Sequence, residues 1–167
     1  MSVNIREIQI SDAAGFSELC LQLEKETSFM LYEPGESGKD VEQLMKEIEG
    51  IKKDALKELF VIEDNEKLVG YLAVSGQNIN RIKHRAFVVI GILREYNGKG
   101  LGKRLFGEAE LWARKNDVKR LECSVATNNK RALWFFSTLG FNVEGIRRKA
   151  LIVDGMVADE FYMSKML

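Results

Sequence analysis

An α+β fold built as one compact sheet domain is what the sequence predicts, and three observations carry the prediction. The 167 residues suffice for one domain and fall short of two. Strand-like and helix-like periodicities follow one another with short links, with no repeat or low-complexity tract. Hydrophobic residues make up 46% and charged residues 30%, the balance of a chain that folds around a core rather than one that stays disordered.

Element by element, Val3–Ile10 alternates apolar and polar residues and reads as a strand. Ser11-Asp12 opens a helix with Phe16, Leu19, Cys20 and Leu23 on one stripe. Thr27–Gly38 holds Pro34 and two glycines and reads as a loop. Its run Phe29-Met30-Leu31-Tyr32 should be buried or line something. Asp40–Lys52 is a second helix, with Val41, Leu44, Met45, Ile48 and Ile51 on one face. Leu59–Glu63 and Leu68–Val74 form a hairpin. Ile82–Leu93 is a longer strand, apolar throughout its second half and so expected to be covered on both faces. Gly100–Asn116 is a helix, Leu121–Val125 a strand, and Asn129–Leu139 a helix ended by Gly140. Phe141–Val153 and Val157–Leu167 pair through an Asp154-Gly155 turn.

Composition narrows the function. Lys+Arg and Asp+Glu are equal at 25 each, so the basic surplus of a general nucleic-acid binder is missing. The longest apolar run, Ala86 to Leu93, is far too short to span a bilayer, and the N-terminus carries no secretory pattern. Cys20 and Cys123 form no CxxC and no disulfide framework, and with one histidine no zinc site is expected. A cytoplasmic protein without metal is the expectation. The charge is nonetheless segregated: residues 1–66 carry a net −9, residues 67–149 a net +11. Two solvated surfaces would explain this, and so would one site that takes an anionic ligand on one side and a cationic one on the other.

The glycine cluster Asn97-Gly98-Lys99-Gly100-Leu101-Gly102-Lys103 follows a strand and opens a helix. Unpaired backbone N–H groups and the helix dipole at such a junction favour an anion, glycines let the main chain approach it, and Lys99, Lys103 and Arg104 add charge. A Walker loop requires Ser or Thr where Arg104 stands, and a dinucleotide fingerprint requires glycine where Lys103 stands, so neither fits.

The stretch Ile90–Lys103 resembles the acyl-CoA loop of the GNAT superfamily of N-acyltransferases, whose pattern is Gln/Arg-x-x-Gly-x-Gly/Ala, with Asn97 in the Gln/Arg position. Asn129-Lys130-Arg131-Ala132 and Gly140-Phe141 are similar to that family's Asn-x-x-Ala…Gly-Phe helix. Val143–Arg147 and Asp154-Gly155…Asp159 are similar to its closing hairpin. The resemblance is closest to the bacterial polyamine, protein N-terminal and amino-acid acetyltransferase branches. It implies a single domain over residues 1–167, with a mixed central sheet flanked by helices on both faces. It also implies acetyl-CoA as cosubstrate, a small amine or peptide as acceptor, and leaves room for a homodimer.

By the same resemblance, Ile90, Gly91 and Ile92 offer backbone hydrogen bonds to the pantetheine. Gly98, Lys99, Gly100, Leu101, Gly102 and Lys103 hold the pyrophosphate, Asn129 reaches the pantetheine arm, and Phe136 lies beside the sulfur. The amine attacks the thioester directly and backbone N–H groups stabilise the oxyanion, so Cys123 is structural. Two positions depart from the pattern: Phe136 stands where the family often has a tyrosine acid, and Phe87 where polyamine enzymes tend to have a carboxylate. These departures support a second reading, a catalytically weak CoA-binding sensor. Without a base, deprotonating an alkylamine of pKa ~10.4 at neutral pH costs about 4–5 kcal/mol, but an α-amine of pKa ~7.8 only about 1 kcal/mol. Candidate replacements are Glu33 beside the aromatic loop, Asp159 on a strand face with Phe161 and Met163, and Tyr162 on the opposite face. His84, on the face of Ile82, Ala86 and Val88, is a weaker one.

Overall fold

A computed structural model describes residues 3–38 and 40–167. Seven strands form one sheet in the order β1-β2-β3-β4-β5-β7-β6. They are β1 (Val3–Glu7), β2 (Lys57–Asp64), β3 (Lys67–Gly76), β4 (Arg85–Ile92), β5 (Arg120–Ala126), β6 (Asn142–Val153) and β7 (Met156–Met166). Every neighbouring pair is antiparallel except β4–β5, which is parallel, so the sheet is mixed. Four helices complete the fold: α1 (Ala13–Glu26), α2 (Val41–Lys53), α3 (Leu101–Lys115) and α4 (Lys130–Thr138).

Strand alternation assigns the helices to faces. At Gly91 a Cβ would meet Leu23 of α1 and Met30, while Ile92 reaches toward Gly102 of α3. The odd-numbered residues of β4 therefore face α1, and the even-numbered ones face α3. The α3 side is closed by aromatic packing, Phe106 edge-on to Phe141 at 5.7 Å and Phe141 edge-on to Phe136 at 5.1 Å. Leu44 and Ile48 of α2 and Leu19 and Leu23 of α1 bury the other stripe. Residues of both faces join one continuous hydrophobic core.

Three local expectations change. The first strand ends at Glu7, because a short 3-10 turn, Ile10–Asp12, leads directly into α1. The central strand begins at Arg85 rather than Ile82, because residues 79–85 turn back on themselves through Ile82 N–H to Ile79 O and Arg85 N–H to Ile82 O. His84 therefore precedes the strand and is exposed. Its carbonyl accepts the Lys119 and Arg120 amides. Finally, β4 is not covered on both faces: Val89 is 40% exposed on the α1 side.

Candidate active site

The parallel pair β4–β5 holds the feature that organises the site. Its ladder has only three registered positions, Arg85↔Arg120, Ala86↔Leu121 and Phe87↔Glu122. Beyond Phe87 the strands part, while β4 continues its register with β3 through Ile92. The main-chain groups of the second half of β4 that face β5 thus have no strand partner, although backbone groups demand one. Ile90, Gly91 and Ile92 lie on this stretch.

At the far end of β4 the chain turns through Arg94–Tyr96 into the glycine loop. Gly98 and Gly100 have φ of +75° and +73°, a region that disfavours side chains, and a Cβ at either would meet nothing within 4 Å. The loop is open on its outer side. Gly100 is the N-cap of α3 and contributes no side-chain hydrogen bond, whereas Asp40 caps α2 through the Gln43 amide and Asn129 caps α4 through the Ala132 amide. The first-turn N–H groups of α3, from Leu101 to Lys103, are left for an external acceptor, which the helix dipole requires to be negative. Lys103 and Arg104 are exposed beside them, and Lys99 lies 4.7 Å over the Tyr96 ring. Two ties hold the loop: Tyr96 donates to the buried Asp64 at 2.9 Å, and the Arg94 amide donates to Glu26 at 2.7 Å.

Helix α4 closes on α3 here. A Cβ at Gly102 would lie 2.9 Å from Phe135 Cε2, so glycine at this position lets the two helices approach. Asn129 spends its Oδ1 on the Ala132 amide and keeps its amide nitrogen as a donor. Phe136 is 5% exposed and stacks edge-on against Phe135 and Phe141. A phosphate-bearing thioester ligand fits what is present: an uncapped helix start with adjacent cations, leading into a gap between two strands.

On the α1 side of the gap, the run Phe29–Tyr32 is not buried as a unit. Met30 packs on the core, but Leu31 is 81% exposed and Phe29 and Tyr32 about half so. The loop is tied back by the buried Glu24, which accepts the Gly35 amide at 3.1 Å. Glu33 is exposed, its own amide bound by Glu36.

Further along the same face, β5, β7 and β6 present a polar network that sequence reasoning missed in part. The register sets Phe87 beside Glu122, Glu122 opposite Ser164, and Ser124 opposite Tyr162. Glu122 is buried, and it accepts from Arg120 Nε at 2.6 Å and from the Tyr162 hydroxyl at 2.7 Å. Burial alone would raise its carboxyl, but those two donors outweigh it and hold the group below the usual glutamate range. Tyr162 is shifted up, first by burial and then by its bond to the carboxylate. Arg147 lies over the Tyr162 ring, donates to Ser124 Oγ at 2.7 Å and pairs with Glu160. The signal for Glu122 was available, a lone acid inside the apolar strand Leu121–Val125.

Asp159 has a different setting. Its Oδ1 accepts the Lys149 amide at 2.8 Å, where β6 bulges and Lys149 takes φ +52°. It holds the β6–β7 irregularity together. Cys123 is buried, and desolvation pushes its thiol up to about 12, which suits a packing residue rather than a nucleophile. Among the described residues no group of three or more His, Cys, Asp or Glu side chains is placed to hold a metal ion. No helix among the described residues is long and apolar enough to cross a membrane.

Comparison with known proteins agrees with this geometry. Residues 21–141 match the acetyltransferase (GNAT) family. The chain is 27% identical over 114 residues to the L-amino acid N-acetyltransferase AaaT of Escherichia coli (strain K12), covering 66% of this chain and 68% of that protein. It is 36% identical over 100 residues to the N-alpha-acetyltransferase RimI of Mycobacterium tuberculosis, covering 59% of each. Its fold superposes with a TM-score of 0.87 on the putative acetyltransferase YncA of Salmonella typhimurium, solved with its cofactor acetyl-CoA. That pair is 18% identical, over 100% of this chain and 95% of the other.

Proposed function

The chain belongs to the acetyltransferase (GNAT) family, as an acetyl-CoA-dependent N-acetyltransferase, and we propose that its acceptor is a primary amine of a small cationic molecule or a peptide N-terminus. The observation that supports the reading is the parting of β4 from β5 beyond Phe87, which ends at the uncapped start of α3. In this reading Gly98 to Lys103 hold the pyrophosphate. Ile90, Gly91, Ile92 and Asn129 contact the pantetheine, and Phe136 borders the gap. Bound acetyl-CoA supplies the activated acyl thioester, and the amine attacks it directly.

The acceptor enters from the α1 side, the face on which Val89 is open and Phe29, Leu31 and Tyr32 stand exposed. Glu33 and the net −9 of residues 1–66 favour an ammonium there, and the aromatic rings add cation–π attraction on the order of 0.5–2 kcal/mol. With Phe87 and Phe136 supplying neither base nor acid, amines of lower pKa are favoured, so α-amines rank above alkylamines. Tyr162, held by Glu122, is the hydroxyl available for proton handling on this face. Asp159, the third candidate, lies on the opposite face of that strand and is bound to the Lys149 amide, so this reading gives it a positioning role at the β6–β7 bulge.

The test is acetyl transfer to polyamines, amino acids, short peptides and aminoglycosides by wild type and Glu33→Gln. The expected result is turnover with at least one amine and a tenfold or greater loss of kcat/KM in Glu33→Gln, about 1.4 kcal/mol of transition-state stabilisation. Unchanged kcat/KM for every amine in Glu33→Gln would remove Glu33 from the site. Acetyl-CoA binding without transfer to any amine would favour the sensor reading that Phe87 and Phe136 support.

A further inference from the structure

The cofactor accounts for only part of the basic middle of the chain. No Asp or Glu occurs between Lys67 and Arg94. Arg81, Lys83 and Arg85 gather at the start of β4, while the glycine loop lies past its end. At about 3.3 Å per residue the length of β4 separates them by roughly 23 Å, too far for one pyrophosphate to use both groups.

Two adjoining depressions open at that end of β4, of about 200 and about 630 Å³. Phe87, Ser75, Gly76 and Gln77 line both. Arg85 and Glu122 border the first, Asp54 and Lys57 the second. Phe87 and Val89 alternate onto the same face of β4, so this hollow continues the acceptor side of the gap.

The charges in the hollow are unequally engaged. Glu122 already takes short bonds from Arg120 and Tyr162, and Arg85 reaches it only at 3.5 Å. The Arg85 side chain is 43% exposed, so most of its guanidinium donors are available. Asp54 gives one oxygen to the Leu56 amide, and its other oxygen lies 3.4 Å from Lys57 in an exposed pair, an arrangement that holds a lysine weakly. Glu122 is thus engaged by Arg120 and Tyr162, which leaves Arg85 with donors to spare, while Lys57 shares only one oxygen of Asp54 in an exposed pair.

Resting on the N-acetyltransferase reading above, we propose that Arg85 and Lys57 bind an anionic group of the acceptor, and that the acceptor is a peptide N-terminus with an acidic side chain two or three residues after its amine. The spacing sets that distance. Arg85 and Val89 are four strand residues apart, about 13 Å along β4, and the arginine side chain spans part of it. An extended peptide advances about 3.3–3.6 Å per residue, so an acid near its third position places a carboxylate on the order of 10 Å from the amine. A free amino acid keeps its carboxylate beside its amine and cannot reach both ends. The ammonium then faces the acidic N-terminal portion of the chain, and the acid faces Arg85.

The experiment compares kcat/KM for amidated tetrapeptides that differ only at the third residue: glutamate, glutamine or lysine. Free alanine and acetyl-CoA binding are measured alongside. Wild type should prefer the glutamate peptide over the glutamine peptide tenfold or more, about 1.4 kcal/mol, with the lysine peptide poorest. In Arg85→Gln that ratio should fall to within threefold, and in Lys57→Gln it should fall part of the way; Lys57→Gln carries the test alone if Arg85→Gln does not fold. A wild-type ratio near one, a ratio preserved in Arg85→Gln, or free alanine outperforming every peptide overturns the anion site. Equal transfer to all three peptides sinks this proposal and leaves the acetyltransferase reading standing, whereas binding of acetyl-CoA without transfer to any amine sinks both.

Discussion

Replacing Gly102 by alanine tests how the cofactor end of the site is assembled. The new Cβ would sit 2.9 Å from Phe135 Cε2, 3.1 Å from Cζ and 3.5 Å from Ile92 Cδ1. Carbon atoms rest about 3.5–4.0 Å apart, so the Phe135 ring must move by roughly half an ångström or more. The ring is not free to do so, because it stacks on Phe136 at 5.4 Å, and Phe136 stacks on Phe141. Overpacking of this kind costs about 1–3 kcal/mol. Alanine returns at most about 1 kcal/mol in helix propensity, less in a first turn. Gly102→Ala should therefore destabilise by about 0–2 kcal/mol, while the same change in a Phe135→Leu background should be neutral or stabilising. The assay is denaturant unfolding of wild type, both single mutants and the double mutant, with acetyl-CoA titrated into each. A coupling energy of about 1–3 kcal/mol is expected. Acetyl-CoA affinity should drop threefold or more in Gly102→Ala and recover in the double mutant. Coupling below about 0.5 kcal/mol would refute the claim that Gly102 exists to admit Phe135. Gly102→Glu is a poorer probe, because its side chain meets the same ring before its charge meets a phosphate.

Two further outcomes follow from the geometry. Arg120 and Ser164 draw the Glu144 carboxyl down to about 2, and Glu122 is also held below its ordinary value. Both therefore stabilise the fold above the ordinary glutamate range and lose that contribution as pH falls below it, Glu144 as pH approaches about 2. Thermal melts should show Tm falling across that window, less steeply in Glu144→Gln, and a flat Tm would contradict the network. Phe136→Tyr places a hydroxyl on a ring that is 5% exposed, costing about 1–3 kcal/mol if no partner meets it. Turnover should rise or stay level with acetyl-CoA affinity changed less than threefold, and loss of binding would show that Phe136 does not border the gap.

The parts of the fold that local pattern could reveal were those whose neighbours are close in sequence. The strand-to-helix junction at Gly98–Lys103 was legible because an uncapped helix start, glycines at positive φ and flanking cations all lie within one turn. The parting of β4 from β5 was legible only as an implication of the family resemblance, since it depends on pairing between segments about 35 residues apart, and either strand alone reads as an ordinary apolar run. Ile82 and His84 continue the alternation of Ala86 and Val88 by coincidence, and only the turn hydrogen bonds at Ile79 and Ile82 show where the strand begins.

The remaining misreadings share one physical cause. Val89 was expected to be covered and the run Phe29–Tyr32 to be buried or to line something; Val89, Phe29, Leu31 and Tyr32 are all exposed on the α1 side of the gap. Hydropathy reports that a side chain favours an apolar neighbour but not whether that neighbour is protein or ligand. Glu122 is the converse: an acid in a buried strand looks like a misfit until the register sets Tyr162 and Arg120 around it. A cleft therefore disturbs the sequence pattern in both directions, with apolar residues left open and charged ones buried. In this chain both anomalies fall on one face, the α1 face along β4 and β5, and so does the Arg85 hollow.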